Sequence, residues 1–501
     1  MIALIVLILA VSLCLWYIIK YHLWTIRVSN MTSNIPGPKP LPIIGNASIF
    51  ADMKTLQDVY ETITSLLDKY GNADGIAKVW LGPKPWILLG NPKYIEIILS
   101  SPDALQKEEV YDRLGLFVNG LFVRNGRDWR ELRKPLDKLL TKKMIDSNIG
   151  MFHEKTVKLL KILNKYTNTR NEFDLRHYMT NLAIDFISVT TFGHDMNMIE
   201  KDENNLKETL ERIFETIVKL VFETPYNMWL TYAKISIPGR RLKELAKIYW
   251  RFCNELLQGR LRNKKLLGED IDAVPIYYSD VLIEKATKDK LSLDERGKLA
   301  TDFLIAGFDT SAVTLSYVLF ILAMFSEHQE AVYQEQIDIL GEDPEVAPTW
   351  EQLSKMEYLT RIIKEVMRLY CPLGIFRKLT NDIDLGDYKL PKGIAINLMF
   401  YKLHTNPKIW SHPNEFYPDH FLPEEMANRP KGSYLPFSLG PRSCPGSVYA
   451  MISIKTAVSA AIRRYKFETD MKFEKLEYKY NFLLEPAEAY SVRISERKTN
   501  C

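Results

Sequence analysis

The sequence predicts a mainly α-helical protein with a small β region, preceded by one N-terminal transmembrane helix. Residues 1–19 are almost wholly apolar, and a stretch of this length is just sufficient to span a bilayer as a helix. Much of the remaining chain repeats its apolar residues at the three- and four-residue spacing of helices. Strand-like runs are short, and most of them lie near residues 76–89 and 383–398.

The composition is that of a large globular protein. The chain has 501 residues, of which 47% are hydrophobic and 26% charged, and its net charge of +4 is too small to suggest nucleic-acid binding. The five cysteines are scattered, odd in number and without a C-x-x-C pair: Cys14, Cys253, Cys371, Cys444 and Cys501. This pattern argues against a disulfide framework or a structural zinc site, and it favours a reducing compartment.

The chain divides into a membrane anchor at 1–20, a linker with a proline-rich hinge at 21–45, and a globular body at 46–501. Aromatic residues flank the apolar run and basic residues follow it, so the body is expected to lie in the cytosol. A cleaved signal peptide is the alternative. It is disfavoured because the run lacks a basic region before it and a small-residue cleavage site after it.

The first part of the body is predicted to hold a helix over 53–70 and two strands, over 76–81 and 86–89. The next helix begins near Trp129. Because Trp129 and Arg133 are four residues apart, an indole N–H and a guanidinium can reach the same target. The alternative is a half-buried tryptophan packed on the arginine side chain.

The middle of the chain is predicted to be helical over 175–192, 206–221 and 242–266, and the spacing there shows nothing catalytic. A long helix over 291–325 is expected to be interrupted at 306–311, where the sequence is AGFDTS. Glycine weakens a helix interior, and a hydroxyl can bond back to the preceding turn, which allows a local bulge. An acid beside a hydroxyl can relay protons there. An ordinary N-cap or a kinked core helix is the alternative.

A further helix over 359–370 carries Glu365 and Arg368, which are three residues apart and can form an ion pair. Apolar neighbours predict that this pair is buried, where its role is to fix geometry, since a buried pair adds little net stability. Strands are predicted at 383–390 and 394–398, followed by a meander rich in proline and aromatic residues.

The loop FSLGPRSCPG at 437–446 places one cysteine, Cys444, between glycines and in front of a helix-prone run at 448–462. The free N–H groups at the start of that helix favour a thiolate. Arg442 can bind a carboxylate through two parallel hydrogen bonds. The loop therefore predicts a metal centre that carries acidic groups. A buried cysteine in a glycine- and proline-rich loop is the alternative.

This loop resembles the haem-thiolate signature of the cytochrome P-450 family in five residues at fixed offsets: Phe437, Gly440, Arg442, Cys444 and Gly446. The resemblance extends from the hinge to the last strands and includes four motifs in the family's order. It is closest to insect relatives of the omega-hydroxylase branch. It implies the fold of that family, with a haem-thiolate catalytic domain over 46–501.

By this resemblance Cys444 is the axial ligand of the iron of haem b. The residues expected to bind the haem propionates are Trp129, Arg133, Arg377 and Arg442. Thr310 is expected to hold the hydrogen-bond network of bound dioxygen, and Asp309 to supply protons.

Two positions depart from the family's pattern. Ala306 stands where the omega-hydroxylase branch usually has a glutamate that links covalently to haem, so haem is expected to be held without a covalent bond. His420 stands where the family has an arginine that joins Glu365 and Arg368. We therefore expect this three-way structural contact to persist in weakened form, because the charge of a histidine depends on pH.

The resemblance implies a monooxygenase that inserts one oxygen atom of dioxygen into a hydrophobic small molecule. The chain has no dinucleotide-binding GxGxxG segment, so electrons must come from another protein. The family implies NADPH through a separate flavoprotein reductase, with cytochrome b5 as an additional candidate donor, at the endoplasmic reticulum membrane. The alternatives are a haem-thiolate isomerase or dehydratase that does not use dioxygen, and a haem protein that binds apolar ligands without catalysis.

Two surfaces are expected from the same resemblance. A basic docking face for the reductase would comprise Lys134, Lys138, Lys142 and Lys143 on the Trp129 helix, with Lys455, Arg463 and Arg464; an ordinary solvated face is the alternative. The walls of the substrate pocket are expected to be apolar and to come from residues 114–123, 222–230, 303–310, 373–376 and 483–489.

Overall fold

The computed structural model describes residues 2–497 except 43, 51–52, 54, 83, 168, 170, 202–204, 223–234, 267–276, 371 and 482. Among them the α-helices, in chain order, are α1 (Ile2–Met31), α2 (Leu56–Tyr70), α3 (Pro92–Ser100), α4 (Tyr111–Leu114), α5 (Gly126–Leu139), α6 (Lys142–Asp146), α7 (Ile149–Leu163), α8 (Leu175–Ile187), α9 (Met198–Lys201), α10 (Leu206–Phe222), α11 (Ile237–Leu266), α12 (Tyr278–Lys288), α13 (Leu293–Met324), α14 (Ser326–Leu340), α15 (Trp350–Lys355), α16 (Glu357–Leu369), α17 (Phe400–His404), α18 (Pro423–Ala427) and α19 (Ser447–Arg464). The predicted mainly helical fold is confirmed.

The strands are β1 (Ile76–Leu81), β2 (Lys84–Leu89), β3 (Phe173–Asp174), β4 (Ile375–Lys378), β5 (Ile383–Asp384), β6 (Lys389–Leu390), β7 (Ala395–Leu398), β8 (Tyr465–Glu468), β9 (Tyr478–Asn481), β10 (Leu483–Pro486) and β11 (Ser491–Glu496). One sheet has the order β1-β2-β7-β4, in which β2 and β7 are parallel and Trp86 lies opposite Ala395. Another has the order β3-β11-β8, and β9–β10 and β5–β6 form two hairpins.

Three predicted elements differ in detail. Residues 383–390 form the β5–β6 hairpin rather than one strand, because Gly386, with a φ of +91°, turns the chain back. Residues 237–239, predicted as part of a loop, begin α11. The α-helix predicted over 175–192 ends at Ile187 and continues as a π-helical turn over Ser188–Phe192.

Helix α13 runs through the core and packs against α8, α11 and α19. It begins with a capping box in which Ser292 and Glu295 each accept a hydrogen bond from the other's backbone N–H. The predicted interruption is wrong, since the helix is continuous from Leu293 to Met324. Thr310 Oγ1 does donate to Ala306 O at 2.8 Å, but this bond fits within the helix and produces no bulge.

Among the described residues, two helices are long and apolar enough to cross a membrane: α13, most of which is buried in the protein, and the N-terminal span Ile5–Met31. Helix α1 continues past the predicted end of the anchor at residue 20 and contacts the body. Val28 is fully buried, and Trp24 Nε1 donates to Lys392 O at 3.1 Å. Arg27 forms an ion pair of 2.5 Å with Asp382. The anchor and the body are therefore joined by several contacts in addition to the chain itself.

Candidate active site

The cysteine loop, residues 437–446, is a tight turn that leads directly into α19. Cys444 N–H donates to Phe437 O at 2.9 Å, which closes the loop. Gly440 has a φ of +75°, and a Cβ there would lie 2.1 Å from Leu99 O, so only glycine fits. The Cys444 side chain is accessible although the loop is held within the fold, so the sulfur borders an open space.

The Cys444 sulfur has accessible surface but lies deep in the molecule, so desolvation raises the pKa of its thiol, while the Gly446 N–H and the charge of Arg133 act in the opposite direction. The sequence led us to expect surroundings that favour the thiolate. The expected N–H group and arginine are present, but in the protein alone they do not outweigh desolvation. A thiolate at this position therefore needs a further positive group, such as a metal ion.

On α13 the cavity side is marked by Ala306, which is exposed in the middle of a buried helix, and by Thr310 one turn later. Ala306 presents no carboxylate to this space. Helix α13 packs against α19, which follows Cys444, so these accessible positions and the cysteine loop belong to neighbouring parts of the fold.

Asp309 points to a different side of α13 from Ala306 and Thr310. It is buried, and its Oδ1 accepts a hydrogen bond of 2.5 Å from Arg176 Nη2 on α8. The same arginine donates through Nε to Glu485 of β10 at 3.1 Å. Burial raises the pKa of Asp309 and the charge of Glu485 adds to this effect, whereas Arg176 lowers it.

This network corrects the expectation that residues 483–489 form an apolar wall, since Glu485 is a buried ion-pair partner. Neither Arg176 nor Glu485 was predicted from the sequence. The feature of the sequence that could have pointed to each of them is a charged residue within an otherwise apolar helix or strand. The pocket segment at 222–230 lies outside the described residues except for the helical backbone of residue 222.

Three basic side chains converge beside the cysteine loop: Lys107, Arg377 and Arg442. All three have lowered pKa values, because burial disfavours their charges. Repulsion from Arg377 adds to this effect for Lys107 and Arg442. For Arg442 the pKa falls to about 9, and its Nε has no hydrogen-bond partner. In the part of the chain that the structure describes, no carboxylate forms an ion pair with any of them. Lys107 was not predicted from the sequence.

Trp129 and Arg133 do not share a target in this structure. Trp129 is buried and its ring lies under the Arg442 guanidinium, 4.4 Å away. Arg133 donates to Ser443 O at 2.7 Å and pairs with Asp137. Both residues nevertheless place α5 against the cysteine loop.

The predicted three-way structural contact is present and buried. Arg368 binds Glu365 through two hydrogen bonds of 2.7 and 2.8 Å, and both side chains are fully buried. His420 Nδ1 lies 3.2 Å from Glu365 Oε1. His420 Nε2 accepts a hydrogen bond from the backbone N–H of His412, so Nδ1 carries the proton that faces the carboxylate.

Arg368 also fixes the meander that leads to the cysteine loop. Its guanidinium donates to the carbonyl oxygens of His404, Pro413 and Glu415 at 2.7–2.9 Å. Hydrogen bonds from Arg368 and His420 lower the pKa of Glu365 and outweigh the opposing effect of burial. The pair is therefore ionised, and it holds backbone as well as side chains.

The expected docking face is smaller than predicted. Lys455 is buried and donates to Leu353 O, and Arg463 is buried against the carbonyls of Asp343 and Val346. Arg464 pairs with Glu345. The exposed remainder consists of Lys134, Lys138, Lys142 and Lys143, of which the last two lie on α6 rather than on the Trp129 helix. We use docking face for these four lysines below.

The fold and this site define a haem-binding monooxygenase, an oxidoreductase that incorporates oxygen from dioxygen. The family description "Cytochrome P-450" matches residues 35–492, and the chain belongs to that family. Among its relatives, cytochrome P-450 4c3 of Drosophila melanogaster is 28% identical over 96% of this chain and 92% of the relative. Probable cytochrome P-450 313a3 of the same fly is 29% identical over 98% and 99%. Human cytochrome P-450 4V2 is 26% identical over 95% and 93%.

These relatives confirm the resemblance to insect members near the omega-hydroxylase branch. Membership of the family implies haem b as the cofactor. The N-terminal apolar helix agrees with the membrane character expected from the sequence.

Proposed function

We propose that this chain is anchored in the endoplasmic reticulum membrane by α1 and oxidises a hydrophobic small molecule with electrons from NADPH, delivered by a separate flavoprotein reductase. Cytochrome b5 is an additional candidate donor. The observation that carries the proposal is the accessible sulfur of Cys444 beside Lys107, Arg377 and Arg442, three desolvated cations that form no ion pair with a carboxylate of the described residues.

The residues present fit a haem with its two propionates. Cys444 supplies the soft anionic ligand that iron prefers, and Arg377, Arg442 and Lys107 supply the positive charge that two carboxylates require. On α5, the Trp129 ring lies against Arg442 and Arg133 binds Ser443 O, so both residues lie beside the cysteine loop. The unpartnered Nε of Arg442 is explained if an acceptor occupies this space. Ala306 offers no carboxylate, so haem is held by these contacts without a covalent bond.

Haem bound here supplies the redox chemistry that activates dioxygen. The chain's own residues exclude water, position the substrate and move protons. We propose that Thr310, on the accessible side of α13, holds the hydrogen-bond network at the reaction site, and that Asp309 supplies protons to it. Because Asp309 is paired with Arg176, it must leave this partner to reach the cavity side.

The ligand assignment is tested by Cys444→Ser, with Cys253→Ser as the control at a buried thiol away from the loop. We expect Cys444→Ser to lose the red-shifted Soret band of the ferrous carbon monoxide complex, because an alcohol does not replace the thiolate. The control should keep that band. A band that persists in Cys444→Ser would show that another residue binds the iron.

Product formation separates the reaction classes. We expect turnover to require NADPH, reductase and dioxygen, with one oxygen atom from labelled dioxygen found in the product. Turnover without these three components would instead identify an isomerase or dehydratase. Binding of apolar ligands without any product would identify a non-catalytic haem protein.

A further inference from the structure

A loop at residues 117–125, which we call the wall loop, connects α13 with the cysteine loop. On one side, Asn119 N–H donates to Lys298 O of α13 at 3.2 Å. On the other side, Arg442 Nη2 donates to Arg124 O at 2.7 Å. The wall loop therefore spans the distance between the helix and the cysteine loop at the boundary of the site.

Asp302 is the side chain of α13 that reaches this loop. It is 6% exposed, and its Oδ2 accepts a hydrogen bond of 2.8 Å from the Phe122 N–H. Its Oδ1 lies against Gly120, where a Cβ would be only 2.1 Å from that oxygen. Glycine at position 120 is therefore what allows the carboxylate to approach the loop backbone.

We propose that Asp302 is a positioning residue that fixes the wall loop against α13 and thereby controls access of the substrate to the site. Asp302 binds the backbone N–H of Phe122. The ring of Phe122 lies 4.6 Å from Nζ of Lys107, one of the three basic side chains beside the cysteine loop. A displacement of the loop would thus also disturb the cations beside the cysteine. The inference rests on the proposed function only in treating this space as the substrate cavity.

The use of an acid, rather than an amide, makes this contact depend on pH. Burial raises the pKa of Asp302 to about 7, against the lowering effects of the backbone N–H groups of Phe122, Phe303 and Gly120 and the charge of Arg124. The other titratable groups that interact with it are Tyr278 and Cys253. Both stay neutral in this range, because burial raises their pKa values.

The direction in which pH changes the opening of the wall loop follows from proton linkage. An aspartate in water has a pKa of about 4, so Asp302 binds a proton when the loop closes over it. Opening of the loop therefore becomes easier as the pH rises from about 4 to about 7, and it changes little above that. Between pH 6 and pH 8 the open fraction should rise about tenfold.

The test is hydrogen–deuterium exchange of the 117–125 segment in the haem-loaded, full-length protein, corrected for the intrinsic pH dependence of exchange. At pH 6 we expect Asp302→Ala to exchange about tenfold faster or more, because the loop N–H groups lose their acceptor. Gly120→Ala should act similarly with Asp302 intact, because its Cβ needs the space of Oδ1. Asp302→Asn, a neutral isostere, should remove the pH dependence. Asp294→Asn, at an exposed acid on the same helix, should resemble the wild type.

A second readout is the association rate of 4-phenylimidazole, a small apolar probe, measured by stopped-flow absorbance. We expect faster association in Asp302→Ala and Gly120→Ala, and no change in Asp294→Asn. Unchanged exchange in both Asp302→Ala and Gly120→Ala would overturn the proposal. The same pH slope in Asp302→Asn as in the wild type would overturn its pH dependence. Because exchange needs no turnover, these outcomes are independent of whether the proposed oxygenation is correct.

Discussion

Arg176 binds two carboxylates from distant parts of the chain, Asp309 on α13 and Glu485 on β10. A further N–H, on Nη1, donates to Thr180 Oγ1 at 2.8 Å. If Asp309 turns toward the cavity, Arg176 still has a carboxylate and a hydroxyl as partners. Release of the acid therefore does not leave a buried guanidinium unpaired, which is the costly situation for a buried charge.

We predict that Arg176→Met destabilises the protein by about 3–5 kcal/mol, because two carboxylates remain buried without their cation. The additional change Asp309→Asn should recover part of this loss, since one of those carboxylates is removed. Urea unfolding measures both effects. The control is Arg127→Met at an exposed pair with Glu131, where we expect about 0.5 kcal/mol or less. Equal stabilities of Arg176→Met and the double variant would contradict the coupling.

At the scale of elements, α16 and the meander are joined by the ionised pair of Glu365 and Arg368. Because the pKa of Glu365 is lowered in the folded protein, its contribution to stability is present above the unfolded value of about 4.3. This contribution is lost as the pH falls through the folded value. Acid should therefore loosen the meander that leads to the cysteine loop.

We predict that Glu365→Gln lowers the free energy of unfolding at neutral pH and flattens its decline between pH 6 and pH 3. Thermal unfolding across that range measures the change. Glu357→Gln, in the exposed first turn of the same helix, should keep the pH dependence of the wild type. An unaltered acid dependence in Glu365→Gln would assign the loss of stability at low pH to other carboxylates.

Elements and contacts could be predicted from the sequence where the residues that form them are close together in the chain. Cys444, the helix after it and the Glu365–Arg368 pair were each identified from residues a few positions apart. Arg176 and Lys107 could not be found in this way, because the charged groups that they face depend on how elements pack. Asp309 and Glu485 for Arg176, and Arg377 and Arg442 for Lys107, lie more than 100 residues away in the chain. The interruption of α13 was predicted from weak helix formers, but tertiary packing of most of its length keeps that helix continuous.

At the scale of the molecule, the docking face lies on α5 and α6, and α5 also holds the cysteine loop through Arg133. Reversing Lys134, Lys138, Lys142 and Lys143 to glutamate should slow reduction by the flavoprotein at low ionic strength. The difference should shrink as salt screens the charges. Reversing Lys472 and Lys475, two exposed lysines elsewhere, is the control. A reduction rate equal to that of the wild type at every salt concentration would exclude docking at these lysines.

The contacts between α1 and the body have a mechanical consequence. A transmembrane helix tilts when its apolar length exceeds the local thickness of the hydrocarbon layer. Since α1 is continuous to Met31 and is joined to the body through Trp24, Arg27 and Val28, the body must rotate with it. The lipid composition of the bilayer would then set the angle at which the enzyme's surface meets the headgroups.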